Sequence, residues 1–127
     1  VRTISIKIVL IFLPFLFLSC YEKECNCDNY KTGKFEFVQK IDGEIHTTIF
    51  ERTSTMQIET YNNKVDTASL RWINNCEFIL KKINPKNRQE KRAIAMKILS
   101  TNSKGYYFEY YFVGEQKKQY GTVTKIN

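Results

Sequence analysis

The sequence predicts an all-β domain, an antiparallel up-and-down meander of about eight strands that curls into a small barrel or half-barrel. Three observations predict it. Apolar residues recur with period two through most of the chain from Gly33 onward, the mark of strands with one face buried. Turn-forming pairs, among them Asp42-Gly43, Asn62-Asn63, Asn74-Asn75 and Asn84-Pro85, interrupt that pattern at short intervals. No convincing crossover helix separates the runs, so neighbours are joined as hairpins, and closure removes the unpaired edges of an open sheet.

The elements follow in order. Phe35, Phe37 and Ile41 share one face of the first strand, with Glu36 and Lys40 on the other. Asp42-Gly43 is a two-residue hairpin signal before the strand at 45–51. Residues 54–61 alternate Met56 and Ile58, with Ile58 expected inside, against Gln57 and Glu59. Residues 67–73 set Leu70 and Trp72 against Ser69 and Arg71. Cys76, Phe78 and Leu80 lie on one face of the next strand, which Asn84-Pro85 stops because proline cannot donate to a ladder.

Over 92–101, Ile94, Met96 and Ile98 alternate with Ala93, Ala95 and Lys97. Alanine, methionine, lysine and leucine are good helix formers, so a short helix near 86–99 competes there and would make the fold α+β. A two-layer β-sandwich is the other alternative. Residues 106–113 are the most β-prone, with Tyr106, Phe108, Tyr110 and Phe112 on one face and Tyr107, Glu109, Tyr111 and Val113 on the other. A last strand covers 117–126. Such a chain fits a lipocalin-like barrel, whose interior is wide enough for side chains or one small ligand.

The first twenty residues read as an address. Arg2 and Lys7 precede an apolar stretch at 8–18, broken by Pro14 and followed by Ser19 and Cys20. This is a signal-peptide layout, too short for the roughly 20 apolar residues of a membrane span. Val1 suits an alternative start codon. Leu16-Phe17-Leu18-Ser19-Cys20 resembles a bacterial lipobox, departing from it at Phe17, where Leu, Val or Ile is usual. The resemblance implies cleavage before Cys20 and a lipid on its thiol.

The expected organisation is therefore a lipoprotein signal peptide at 1–19, a lipidated polar tether at 20–32 and a single β-rich domain at 33–127. The length left after the signal supports one core. The expected location is the cell envelope, lipid-anchored. Tyr21-Glu22-Lys23-Glu24 resembles signals that send lipoproteins to the outer membrane, on its periplasmic or surface face.

The chain holds 20 Lys and Arg against 13 Asp and Glu, a net +7 that falls to +5 once Arg2 and Lys7 leave with the signal. That moderate excess suits a soluble exported domain, and nucleic acid is not an expected partner. Outside the cytoplasm thiols tend to pair. Cys25 and Cys27 are too close to constrain much by bonding each other, whereas either one joined to Cys76 ties the start of the domain to its middle. The pairing adopted is Cys27 with Cys76, leaving Cys25 free, capped or bonded between molecules. Closing a loop of about 50 residues stabilises by about 4 kcal/mol on chain-entropy grounds.

The segments Lys31-Thr32-Gly33-Lys34-Phe35, Ser69 through Phe78 and Gly121-Thr122-Val123-Thr124-Lys125 resemble a family of small bacterial lipoproteins. The likeness implies export and brings no activity with it. Some similar chains carry the label of type IV DNA topoisomerase, and the sequence speaks against it. That enzyme needs an ATP-binding domain and a tyrosine nucleophile in a large DNA gate, and one domain behind a signal peptide has room for neither.

Catalytic signatures are absent from the sequence. His46, the only histidine, is expected to be an exposed structural residue, and it cannot assemble a His-rich metal site alone. Cys25-x-Cys27 can converge on a soft metal, but disulfide chemistry is the commoner fate, and no metal or other cofactor is expected. Glu77 and Glu109 could serve glycoside hydrolysis only as a pair about 5 to 9 Å apart, and nothing in their spacing selects them. Trp72 beside Arg71, and the second aromatic face at Tyr107 and Tyr111, are the candidate ligand or partner surface, although a single tryptophan more often fills the core. Lys81, Lys82, Lys86, Arg88, Lys91 and Arg92 form a candidate basic surface around Asn84-Pro85 for anionic head groups.

Two functions follow from these readings. One is a membrane-anchored, non-catalytic binding module for a small apolar ligand or an envelope protein. The other is an envelope hydrolase or transferase using a carboxylate pair. If Phe35, Phe37, Ile58, Leu70, Trp72, Phe78, Leu80, Ile94, Met96, Phe108 and Tyr110 fill the interior completely, ligand binding loses and partner docking gains.

Overall fold

Eight antiparallel strands follow one another around a closed barrel in the computed structural model, which describes residues 25–127. They are β1 (Gly33–Ile41), β2 (Glu44–Arg52), β3 (Met56–Tyr61), β4 (Lys64–Trp72), β5 (Glu77–Lys82), β6 (Ile94–Thr101), β7 (Gly105–Phe112) and β8 (Gln119–Lys125). The expected signal peptide, Cys20 and the first residues of the tether lie outside the described residues. β8 closes on β1, with Phe35 opposite Lys125 and Phe37 opposite Val123. The meander is thus a full barrel, and the half-barrel and sandwich alternatives fall away.

Turn chemistry sets the registers. Asp42 and Gly43, and Asn62 and Asn63, all take positive φ. Two-residue turns of this hand match the twist of the flanking strands, and they place Ile41 opposite Glu44 and Tyr61 opposite Lys64. The helix that competed near 86–99 does not form. Residues 94–101 pair with β5 on one side and β7 on the other, so tertiary pairing overrides the helix propensity of the alanines.

Two face assignments are reversed, one of them on β2, where His46 turns toward the barrel mouth and Ile45 is exposed. On β3 it is Gln57 and Glu59, not Met56 and Ile58, that face inward. Gln57 lies opposite Arg52, whose side chain is 1% exposed, and directly opposed residues share a face. Ile58 is therefore removed from the expected interior.

One end of the barrel is plugged. A 3-10 turn at Cys27–Tyr30 buries Cys27 and Tyr30 against Phe35, Phe78, Ile98, Tyr106 and Val123. The Asn26 amide donates to Thr101 Oγ1 at 2.8 Å, and Lys125 Nζ donates to the Asn29 carbonyl at 2.9 Å. Cys27 is bonded to Cys76 as expected, with a Cα–Cα distance of 5.4 Å. Packing therefore begins by Cys27 rather than at Gly33, and the second half of the expected tether belongs to the domain.

Gly105 marks a tight spot on the wall, because a Cβ there would sit 1.8 Å from the Val123 carbonyl oxygen. Gly105→Ala is expected to force β7 and β8 apart and to cost about 3 kcal/mol in urea unfolding. An unchanged midpoint would contradict this close approach.

Candidate functional site

The other end of the barrel is open, and a chamber of about 240 Å³ runs down from it. Its walls are Phe37, Phe50, Leu80, Ile94, Met96, Tyr106, Phe108, Tyr110 and Val123, with Gln39, Thr48, Gln57 and Glu59 as the polar lining. Around the mouth stand His46, Tyr61, Asp66, Lys82, Glu90 and Arg92. Each comes from an inward strand position or from the loop at 83–93 between β5 and β6.

Arg52 lies on the plug side of the chamber. Its guanidinium donates to the Tyr30 carbonyl at 2.7 Å, to the Tyr106 hydroxyl at 2.8 Å and twice to Gln57 Oε1 at 3.2 Å. It sits 4.6 to 5.7 Å from the ring centroids of Phe35, Phe50, Phe78 and Tyr106. No carboxylate pairs with it among the described residues. Ring faces and three neutral acceptors take the place of a counter-ion, a setting that suits a delocalised cation. Burial pushes the Tyr106 hydroxyl above its ordinary range, against the pull of the Arg52 charge and hydrogen bond. From Gln57 the chain of bonds continues, its amide donating to Glu59 Oε1 at 2.9 Å.

At the rim, Lys82 Nζ bridges Asp66 at 2.9 Å and Glu90 at 3.2 Å. Glu90 also accepts the Lys86 amide at 2.6 Å, and its own amide donates to Asn87 Oδ1 at 2.8 Å, which folds the loop across the mouth. The Lys86 N–H, and after it Lys82, hold the Glu90 carboxyl below its ordinary range. Burial pulls Lys82 down, but its bonds to Asp66 and Glu90 outweigh that and leave it raised. A depressed carboxyl contributes above its ordinary pKa and loses that contribution as pH falls through the folded value. A raised lysine contributes below 10.5 and loses its share only in alkali. The loop is thus expected to hold at neutral pH and loosen in acid. Followed by NMR, the Lys86 amide shift should titrate with a midpoint below 4.5, and a midpoint at or above that value would contradict the staple.

Other residues singled out from the sequence are dispersed. Trp72 faces inward against Phe78, 4.6 Å between ring centroids, with Lys31 Nζ over its ring, whereas neighbouring Arg71 faces out. Arg71 and Tyr111 share one outer row through Ile79 and Ala95, which puts them about 14 Å apart at ordinary strand spacing. Tyr107 stacks on Tyr120 outside the barrel, with 6.0 Å between centroids. These four residues form no single surface.

The basic set also divides. Lys82 turns into the mouth, and Arg92 pairs with Glu115 over the Phe112 ring. Lys81, Lys86, Arg88 and Lys91 remain exposed. Glu77 and Glu109 face outward on either side of Lys97, and Glu109 meets Lys118 at 3.5 Å, so they line no cleft. Cys25 is exposed, its Sγ 3.3 Å from Cys27 Sγ and 3.5 Å from Cys76 Sγ.

Sequence reasoning passed over Arg52, Gln57, Glu59 and Asp66, and it placed His46 on the surface. His46 is half-buried at the mouth and hydrogen-bonded to the Tyr61 hydroxyl, while Ile45 beside it is 73% exposed. The available signal was Phe50-x-Arg52, a charge two residues along from a core aromatic and so on the same face. Comparison with known protein families, curated proteins and solved structures finds no match to this chain.

Proposed function

We propose that this protein is a membrane-anchored lipoprotein of the bacterial cell envelope, a non-catalytic module that holds a small, largely apolar molecule in its barrel. The observation that carries the reading is the chamber. Aromatic and aliphatic walls, a few convergent polar groups and one open end make up the usual composition of a small-molecule site. The plug, the disulfide and Arg52 fill only the far end.

The anchor fits this geometry. Six residues lie between Cys20 and Cys27, a span of at most about 25 Å when extended. A lipid on Cys20 would hold the plugged end near the bilayer and leave the mouth facing away. A Cys20→Ser variant should move from membranes to the soluble fraction and lose any acyl mass. Mass spectrometry of small molecules released from membrane-purified protein tests the binding. A chamber that never yields or takes up a small molecule would sink that half of the reading.

The second reading, a hydrolase or transferase, draws on Glu59 and Asp66, which face each other across β3 and β4. Binding is preferred because Asp66 and Glu90 are both committed to Lys82, leaving no free pair.

A further inference from the structure

We infer that the molecule held in the chamber is a small organic cation, an amine with an apolar body, whose charge is met by Glu59. The inference rests on the proposal that the barrel binds a small molecule, and it specifies the chemistry of that molecule.

Glu59 is the one charged side chain on the chamber wall. Its Oε1 takes a neutral hydrogen bond from the Gln57 amide, and no Lys or Arg among the described residues forms an ion pair with it. Of the cations at the mouth, Lys82 is spent on Asp66 and Glu90, and Arg92 on Glu115. Arg52 does not line the chamber, and Gln57 stands between it and Glu59, bonded to both. Across the β3–β4 ladder Glu59 faces Asp66, a like charge, and like charges directly opposite destabilise a sheet. The fold thus keeps a carboxylate beside an apolar cavity at a cost, with no cation of the described residues paired to it. A cation arriving in the chamber would relieve that cost.

The rest of the lining suits the same guest. Phe37, Phe108 and Tyr110 form a connected aromatic wall, with centroid distances of 5.5 Å and 5.4 Å. Ring faces carry the negative side of the aromatic quadrupole and attract ammonium groups, most strongly where water is excluded. An anion would meet Glu59 on a wall that presents no Lys or Arg. The volume, about 240 Å³, lies below the range of about 300–1,000 Å³ typical of drug-sized pockets, so the guest is small.

Three isosteric probes separate the alternatives: 2-phenylethylamine as the cation, 2-phenylethanol as the neutral form and phenylacetate as the anion. Each is titrated into the whole protein at pH 7 by calorimetry and by the Met96 methyl signal in NMR. The amine should bind at least about 10-fold more tightly than the alcohol, and phenylacetate most weakly. Glu59→Gln keeps an acceptor for the Gln57 amide; it should erase the preference of the amine over the alcohol, and with the like-charge contact to Asp66 gone the thermal midpoint should not fall. Equal binding of all three, or an amine affinity untouched in Glu59→Gln, overturns the cation assignment and spares the chamber reading. If none of the three enters at millimolar concentration, both fall.

Discussion

Arg52→Ala should cost the barrel about 3–5 kcal/mol, enough to unfold much of the population of a domain this size at ambient temperature. The expectation follows from what surrounds the side chain. Arg52 is 1% exposed and touches the faces of four aromatic rings, so truncation opens a void among Phe35, Phe50, Phe78 and Tyr106. It also strips a donor from the Tyr30 carbonyl, the Tyr106 hydroxyl and Gln57 Oε1. A buried polar group left without its partner costs about 1–3 kcal/mol. Arg52→Lys should recover only part of the loss, since an ammonium cannot span these acceptors as a planar fork does. Urea unfolding followed by tyrosine and tryptophan fluorescence measures both, and a loss under about 1 kcal/mol for the alanine variant would contradict this account.

Removal of the disulfide ranks next, and its two halves should not be equivalent. The bridge spans 49 positions, and its loss costs about 4 kcal/mol by loop closure. Cys76→Ser abolishes every pairing across that loop and should show the full effect. Cys27→Ser leaves Cys25, whose sulfur lies 3.5 Å from that of Cys76. In an oxidising buffer, where an oxidised dithiol takes up the two electrons, Cys25 and Cys76 should bond and restore much of the stability. The double variant Cys25→Ser/Cys27→Ser should then match Cys76→Ser. Non-reducing peptide mapping with thermal unfolding decides it, and equal losses for both single variants would dismiss the substitute bridge.

The strand count and the turns were legible because each depends on local rules, whereas the bridge from Cys27 to Cys76 spans 49 positions and the sequence by itself did not separate Cys27 from Cys25. Asp42-Gly43 and Asn62-Asn63 announce their positive φ in the residue types alone. Tyr107 and Tyr111 point outward as alternation requires. The orientation of β3 was not legible. Met56 and Ile58 are its apolar set, and apolar residues also cover the outside of a small barrel, where Ile45 and Val65 are exposed. What turns Gln57 and Glu59 inward is the register with Arg52 and Ala68, a relation between strands rather than a property of one. The same holds for the mouth. Lys82 and Glu90 read as part of a charged loop until the chain brings Asp66 beside them. Cys27 and Tyr30 sit in polar sequence with no apolar period, so nothing local signals that they cap a core.

The sulfur bridge also decides how the domain bears mechanical load. Tension arriving along the chain from its N-terminal side reaches Cys27 before it reaches β1, and the covalent link passes it to Cys76, just ahead of β5. Pulling from that direction therefore grips the middle of the chain and cannot unzip the barrel from its first strand.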